Sequence, residues 1–238
     1  MKNTNFIFLP GWGFSPQLFS TFAKAFKGMA IFLELPSLNT SNLNKVVLQI
    51  AQAIPDQGTV IAWSLGGLIA LKLCARFPHK YKRLILLSTT PKFMEDTDWS
   101  GVSKHVAMKI ISTFDKYPDH LLKRFTHWVN HPNQDMKLKK YIASNSFSRV
   151  KDYDKESLSY YLKLLFQSDL RHEYASIKIP ILHLLGSKES IISMQPEQLT
   201  VLNPNVKLCL LENAGHALFL THQNECMHHI ECFLRGTT

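Results

Sequence analysis

"VIAWSLGGLIAL", residues 60–71, joins two apolar patterns at a single serine. Val60, Ile61, Ala62 and Trp63 read as the end of a buried strand. Leu68, Ile69, Leu71 and Leu73 continue at helical spacing. Ser64, Leu65, Gly66 and Gly67 fill the junction. A polar serine there is either the N-cap of the following helix or a nucleophile on a sharp turn. The segment Ala62-Trp63-Ser64-Leu65-Gly66 follows the pattern G-x-S-x-G with alanine in first place. The small residues matter because the serine backbone is strained there, and side chains two before and two after it must not collide. The strand–turn–helix context favours the nucleophile.

Outward from this junction the chain alternates. Short apolar runs at Phe6–Leu9, Ala30–Leu35, Thr59–Trp63, Arg83–Leu87, Ile181–Leu185 and Val206–Leu211 read as buried parallel strands. Helical patterns lie at Leu18–Phe26, Leu43–Ala53, Leu65–Phe77 and His222–Leu234. The alternation predicts an α/β fold with a doubly wound, mostly parallel central sheet flanked by helices. One gap breaks the rhythm. Residues 89–179 carry helical patterns at Val102–Phe114, His120–Val129 and Leu158–Phe166, with turns at 130–134 and 145–154. We expect a helical cap over 89–179, inserted in a core built from 1–88 and 180–238.

The bulk properties narrow the function. The 238 residues are 45% hydrophobic, enough for one large core, and the formal net charge is +9. Cys74, Cys209, Cys226 and Cys232 have no disulfide-scaffold spacing. They are expected to be reduced, in a cytoplasmic protein. The apolar run at Phe6–Leu9 is too short for a signal peptide, and no run reaches the length of a membrane span. Cys226 and Cys232 lie six apart on an expected helix and share no ligand face, so no metal and no cofactor are expected. Zinc-finger spacing, a phosphate-binding glycine loop and aromatic–basic RNA motifs are all missing, which argues against nucleic acid.

A serine hydroxyl needs a base. His216 stands in the loop Glu212-Asn213-Ala214-Gly215-His216-Ala217, between the last strand and the closing helix. An acid must hold the base in its tautomer. Glu189, in the loop after the fifth strand, is the first choice. Glu34, Glu95 and Asp96 are fallbacks that also follow strand ends. An oxyanion hole needs two donors. The backbone N–H of Trp12, in the loop Pro10-Gly11-Trp12-Gly13-Phe14, and that of Leu65 are the candidates.

With the order Ser64…Glu189…His216 the chain resembles the α/β-hydrolases. More narrowly, it resembles the carboxylesterases that remove the methyl ester from pimeloyl-acyl-carrier protein in biotin synthesis. The resemblance rests on "PGWG" (10–13), "WSLGGLIA" (63–70), "LILLSTTPKFMEDTDW" (84–99), "LLGSKESII" (184–192), "AGHALFLTH" (214–222) and the basic "KLKK" (137–140). It implies an α/β-hydrolase fold with a helical cap, and a serine esterase working through an acyl-enzyme. There are departures. Pro10-Gly11 replaces the family's His-Gly, Ala62 replaces glycine, and Glu189 replaces aspartate. The stretch "ELPSLN" (34–39) lacks the glycines usual after that strand. The family's N-terminal antiparallel strands are missing, so a shortened N-terminus is expected.

The positive charge is concentrated. Between 101 and 151 lie ten lysines and arginines against Asp115, Asp119 and Asp135. The resemblance implies that an acidic acyl-carrier protein docks on this cap. Arg124, Lys137, Lys139 and Lys140 are the expected docking group, and the protein is expected to be monomeric. Two other readings stand beside this one. The first is a general short-chain carboxylesterase. The second is a non-catalytic hydrolase-fold binding protein, for which the triad would be broken.

Overall fold

All strand pairings in the central sheet are parallel. The computed structural model describes residues 5–37, 42–147, 154–193 and 195–236. Arg149 and Lys151 of the basic stretch, Leu38 and Asn39, and most of the turn expected at 145–154 lie outside the described residues. The strands are β1 (Asn5–Leu9), β2 (Met29–Phe32), β3 (Gly58–Trp63), β4 (Tyr81–Leu87), β5 (Ile181–Gly186) and β6 (Val206–Leu211). Their order is β2-β1-β3-β4-β5-β6.

Period-two alternation sorts the central strands onto two buried faces. Ile7, Leu9, Val60, Ala62, Leu84 and Leu86 share one apolar cluster. It is covered by α2 (Leu43–Ala53) and α3 (Leu65–Arg76). Phe6, Phe8, Ile61, Trp63, Ile85 and Leu87 share the other. There the chain runs through a 3₁₀ turn at Pro16–Phe19 into α1 (Ser20–Ala23). Phe19 stacks on Phe219 and Phe22 meets the same ring edge-on across this cluster. With both faces covered, β3 is buried along its whole length, which explains the apolar run Val60–Trp63.

Among the described residues, five helices separate β4 from β5: α4 (Lys104–Lys116), α5 (Pro118–Asn130), α6 (Met136–Ser144), α7 (Lys155–Gln167) and α8 (Arg171–Ser176). The two ends of this excursion meet. Leu170 N–H donates to the Pro91 carbonyl at 2.9 Å, and Lys92 Nζ pairs with Asp169 at 3.1 Å. α8 returns to the side of the sheet, where Lys72 of α3 pairs with Glu173 at 2.6 Å. α9 (Glu197–Leu202), α10 (Leu218–Thr221) and α11 (Gln223–Arg235) complete the chain. Among the described residues, no helix is long and apolar enough to cross a membrane.

The helix α6 was not expected from the apolar pattern. Its signal is weak: Asp135 caps it by accepting from the N–H groups of Lys137 and Leu138, and only Ile142 is fully buried. The expected helix over Leu18–Phe26 is instead a 3₁₀ turn and one α turn, ending at Ala23.

The sheet also buries an imidazole. His183 on β5 is fully buried, and that burial pushes its pKa from 6.5 down to about 4 despite a bond to the Thr89 carbonyl. The unfolded chain therefore takes up a proton between pH 6.5 and 4 that the folded chain refuses, so stability falls as pH falls through that window. At ~1.4 kcal/mol per pKa unit the contribution reaches about 3 kcal/mol. Urea titrations from pH 7 to pH 4.5 are expected to show a shallower fall for His183→Gln than for wild type. Equal slopes would contradict the assignment.

Candidate active site

The chain leaves β1 for one edge of the sheet, then returns through β3 and builds the other side. The loops after β1 and β3 therefore separate at the carboxyl ends of adjacent strands, and a crevice opens between them. Ser64 stands there. It occupies the N-cap position of α3, yet its side chain caps nothing. Its backbone lies at φ 54° and ψ −120°, a region that costs of order 1–3 kcal/mol for a residue with a Cβ. The helix-cap reading of Ser64 is thereby removed. Neighbouring small residues make the turn fit. A Cβ on Gly66 would lie 2.5 Å from the Leu9 carbonyl oxygen and 2.6 Å from that of Pro10.

The other side of the crevice is built by the loops after β5 and β6, which are knitted together. Lys188 N–H donates to the Ala214 carbonyl at 2.8 Å, and Asn213 N–H to Ser187 Oγ at 2.8 Å. This brings Glu189 to His216, whose Nδ1–H donates to Glu189 Oε2 at 2.8 Å. Glu189 Oε1 accepts from the N–H of Ile191 at 2.8 Å and of Ile192 at 3.4 Å. Burial pushes the Glu189 carboxyl upward, but His216 and the two backbone donors outweigh it and hold its pKa below the ordinary 4.5. The carboxylate is therefore ionised at neutral pH. With the proton fixed on Nδ1, Nε2 presents a lone pair. That Nε2 is buried and has no hydrogen-bond partner, so no bond joins it to Ser64. Such contacts often tighten only in the substrate complex.

The fallback acids are engaged elsewhere. Glu34 accepts from Ser15 Oγ at 3.3 Å. Asp96 pairs with Lys92 at 2.5 Å and with Arg171 at 3.3 Å. Among the described residues, the carboxylate that meets His216 is Glu189 and not Glu95.

Of the two oxyanion candidates, Leu65 opens α3, where an N–H has no intrahelical acceptor. Trp12 is fixed by its indole, which donates to the Leu158 carbonyl on α7 at 2.8 Å and packs edge-on against Phe114 and Phe125. Trp63 had no expected role. Its indole donates to the His216 carbonyl at 2.9 Å, tying the histidine loop to the strand that carries Ser64.

Trp12, Ser64 and Glu189 open onto one cavity of about 830 Å³. Phe93, Ile110, Leu121, Phe125, Leu162 and Leu165 supply apolar wall, and no lysine or arginine lines it among the described residues. Lys137 and Lys140 are exposed on α6, and Lys139 is half-buried and donates to Gln134 at 3.2 Å. Exposed Arg124 lies over the Trp128 ring at 5.0 Å, and Trp128 lines the cavity.

A family model described as the alpha/beta hydrolase fold matches residues 9–223. The chain belongs to the alpha/beta hydrolase fold family. Two curated relatives of this hydrolase-fold chain share a description. A protein of Pseudoalteromonas atlantica, 26% identical over 93% of this chain and 90% of its own, is named pimeloyl-[acyl-carrier protein] methyl ester esterase. So is one of Wigglesworthia glossinidia brevipalpis, 29% identical over 92% of this chain and 89% of its own. Among solved structures, an esterase from Exiguobacterium antarcticum superposes with a TM-score of 0.86 at 18% identity, covering 98% of this chain and 92% of that one. That likeness concerns the fold.

Proposed function

We propose that this chain is a serine carboxylesterase of biotin synthesis, that it works in the cytoplasm, and that it hydrolyses the methyl ester of pimeloyl-acyl-carrier protein. The observation that carries the reading is the uncapped, strained Ser64 on a cavity that Glu189 also lines, with Glu189 bound to His216. The relatives' shared name supplies the substrate. The cavity agrees with it. A methyl-capped acyl chain is uncharged and can enter a largely apolar chamber, whereas a free carboxylate would lose its hydration with no lysine or arginine in the described wall to pair with it, only His127 and His131.

The chemistry runs in two halves. His216 Nε2 takes the Ser64 proton as Oγ attacks the ester carbonyl. The oxyanion collects on the N–H groups of Trp12 and Leu65. Glu189 balances the imidazolium through Nδ1. The C–O bond to the methoxy group breaks, and His216 returns the proton to release methanol. A water then repeats the sequence on the acyl-enzyme and frees the carboxylic acid and Ser64.

Residues 89–179 serve as the cap, and α6 as the dock for the carrier. The helix is anchored on one side: Tyr141 hydroxyl donates to the Leu18 carbonyl at 3.1 Å, and Ile142 is buried. Lys137 and Lys140 are exposed to a partner, while Lys139 reaches Gln134. Complementary charge steers encounter and fixes orientation. The triple variant Lys137→Glu, Lys139→Glu, Lys140→Glu is expected to lower kcat/KM for a carrier-linked methyl ester about tenfold or more. A small aryl ester is expected to react as before. The helix itself survives, because acidic residues near a helix N-terminus are favourable. Added salt mimics the variant by screening beyond a Debye length of about 8 Å. Equal losses on both substrates would mean a damaged cap. No loss on the carrier substrate would favour a general short-chain esterase.

A further inference from the structure

A buried hydrogen-bonded chain ends on Ser64 and takes no part in the proton relay. Thr89 Oγ1 donates to the Ser64 carbonyl at 2.7 Å. The same carbonyl accepts from the Gly67 N–H at 2.9 Å. Thr89's own carbonyl accepts from His183 Nε2 at 3.1 Å, and Tyr174 hydroxyl lies 3.2 Å from His183 Nδ1. Since Nε2 donates, the neutral ring accepts from the tyrosine at Nδ1. Thr89, His183 and Tyr174 are all fully buried. The chain thus runs from α8 through β5 and the β4 loop to the serine turn. Contact at its end is close: a Cβ on Gly67 would lie 2.5 Å from Thr89 Cγ2.

We infer that Thr89 is a positioning residue that aims the Leu65 N–H into the cavity, and that His183 and Tyr174 hold Thr89 in place. The inference rests on the reading of Ser64 as nucleophile. Its warrant is the planarity of the peptide bond. The Ser64 carbonyl and the Leu65 N–H belong to one rigid trans unit and point in opposite directions. Two donors pin the carbonyl toward the core, so the N–H is turned the other way. Ser64 holds φ 54° and ψ −120°, which its surroundings must enforce. Without the Thr89 hydroxyl one of the two pins is gone, and the peptide can rotate. The oxyanion donor then drifts, and a displacement near 1 Å can cost ~10²-fold in rate. Ground-state binding uses neither group, so KM should hold.

The test is the rate at which a fluorophosphonate labels Ser64, with kcat and KM for an aryl ester. Both are measured well below the melting temperature on protein checked by circular dichroism. Thr89→Val keeps the shape and removes the donor. Labelling and kcat are expected to fall about tenfold to a hundredfold with KM unchanged. Thr89→Ser restores both. His183→Gln keeps a donor toward Thr89 and an acceptor toward Tyr174, and stays near wild type. Where the valine variant does not fold, Tyr174→Phe replaces it, with a several-fold slower labelling expected. Wild-type labelling rates in the folded valine variant, or in Tyr174→Phe used in its place, would overturn the inference. A wild-type protein that the reagent does not label at Ser64 would instead overturn the nucleophile reading on which it rests.

Discussion

Ser64→Ala is expected to lose ester hydrolysis by ~10⁴-fold or more, with little change in melting temperature. The two effects separate because the side chain does nothing for the fold. It sits at the head of α3 without capping it, and a methyl group fills nearly the same space. Ser64→Gly extends the argument. At φ 54° a glycine escapes the strain that any Cβ suffers, so this variant is expected to be no less stable than wild type while equally inactive. Steady-state kinetics beside thermal melts check both. An active alanine variant would remove Ser64 from the chemistry. A strongly destabilised glycine variant would mean that the turn conformation is not the source of strain.

The second large effect is Glu189→Gln, expected to lower kcat by ~10³–10⁴-fold in a folded protein. The geometry supplies the reason. Glu189 Oε1 accepts from the N–H groups of Ile191 and Ile192, and Oε2 accepts from His216 Nδ1. A glutamine must keep its oxygen toward the two backbone donors. Its amide NH₂ then faces Nδ1, which becomes an acceptor, and the ring proton moves to Nε2. The base is blocked by its own proton. The charge matters too. The wild-type carboxyl titrates below its ordinary 4.5, so lowering the pH to that value does not protonate half of it, and Glu189 keeps its charge through the mildly acidic range. An unchanged kcat would return the acid role to Glu34, Glu95 or Asp96.

Most of the fold could be read from apolar runs because the central strands are buried on both faces. The strands β3 and β6 match their expected positions to within a residue, since each keeps an apolar run, Val60–Trp63 and Leu208–Leu211, up to its carboxyl end. β2 was expected to continue to Leu35 but ends at Phe32; it is an edge strand, only partly buried, and its pattern carries no stop signal. α6 escaped notice because a helix that buries one residue and presents lysines has almost no apolar period. For the candidate site, local signals singled out Ser64, His216 and Glu189, whose loops follow strand ends, and the structure pairs Glu189 with His216. Trp63 and Thr89 were not legible. Each acts through a bond to a carbonyl distant in sequence, His216 for the indole and Ser64 for the hydroxyl. No spacing rule marks such a pairing before the sheet brings its partners together.

The most direct measurement is on the carrier itself. Purified protein is mixed with methyl-pimeloyl-acyl-carrier protein, and the mass of the carrier is followed beside released methanol. The account predicts that the carrier loses the mass of one methylene while one methanol appears, and that Ser64→Ala leaves both unchanged. A carrier that stays methylated while the same preparation cleaves an aryl ester would contradict it.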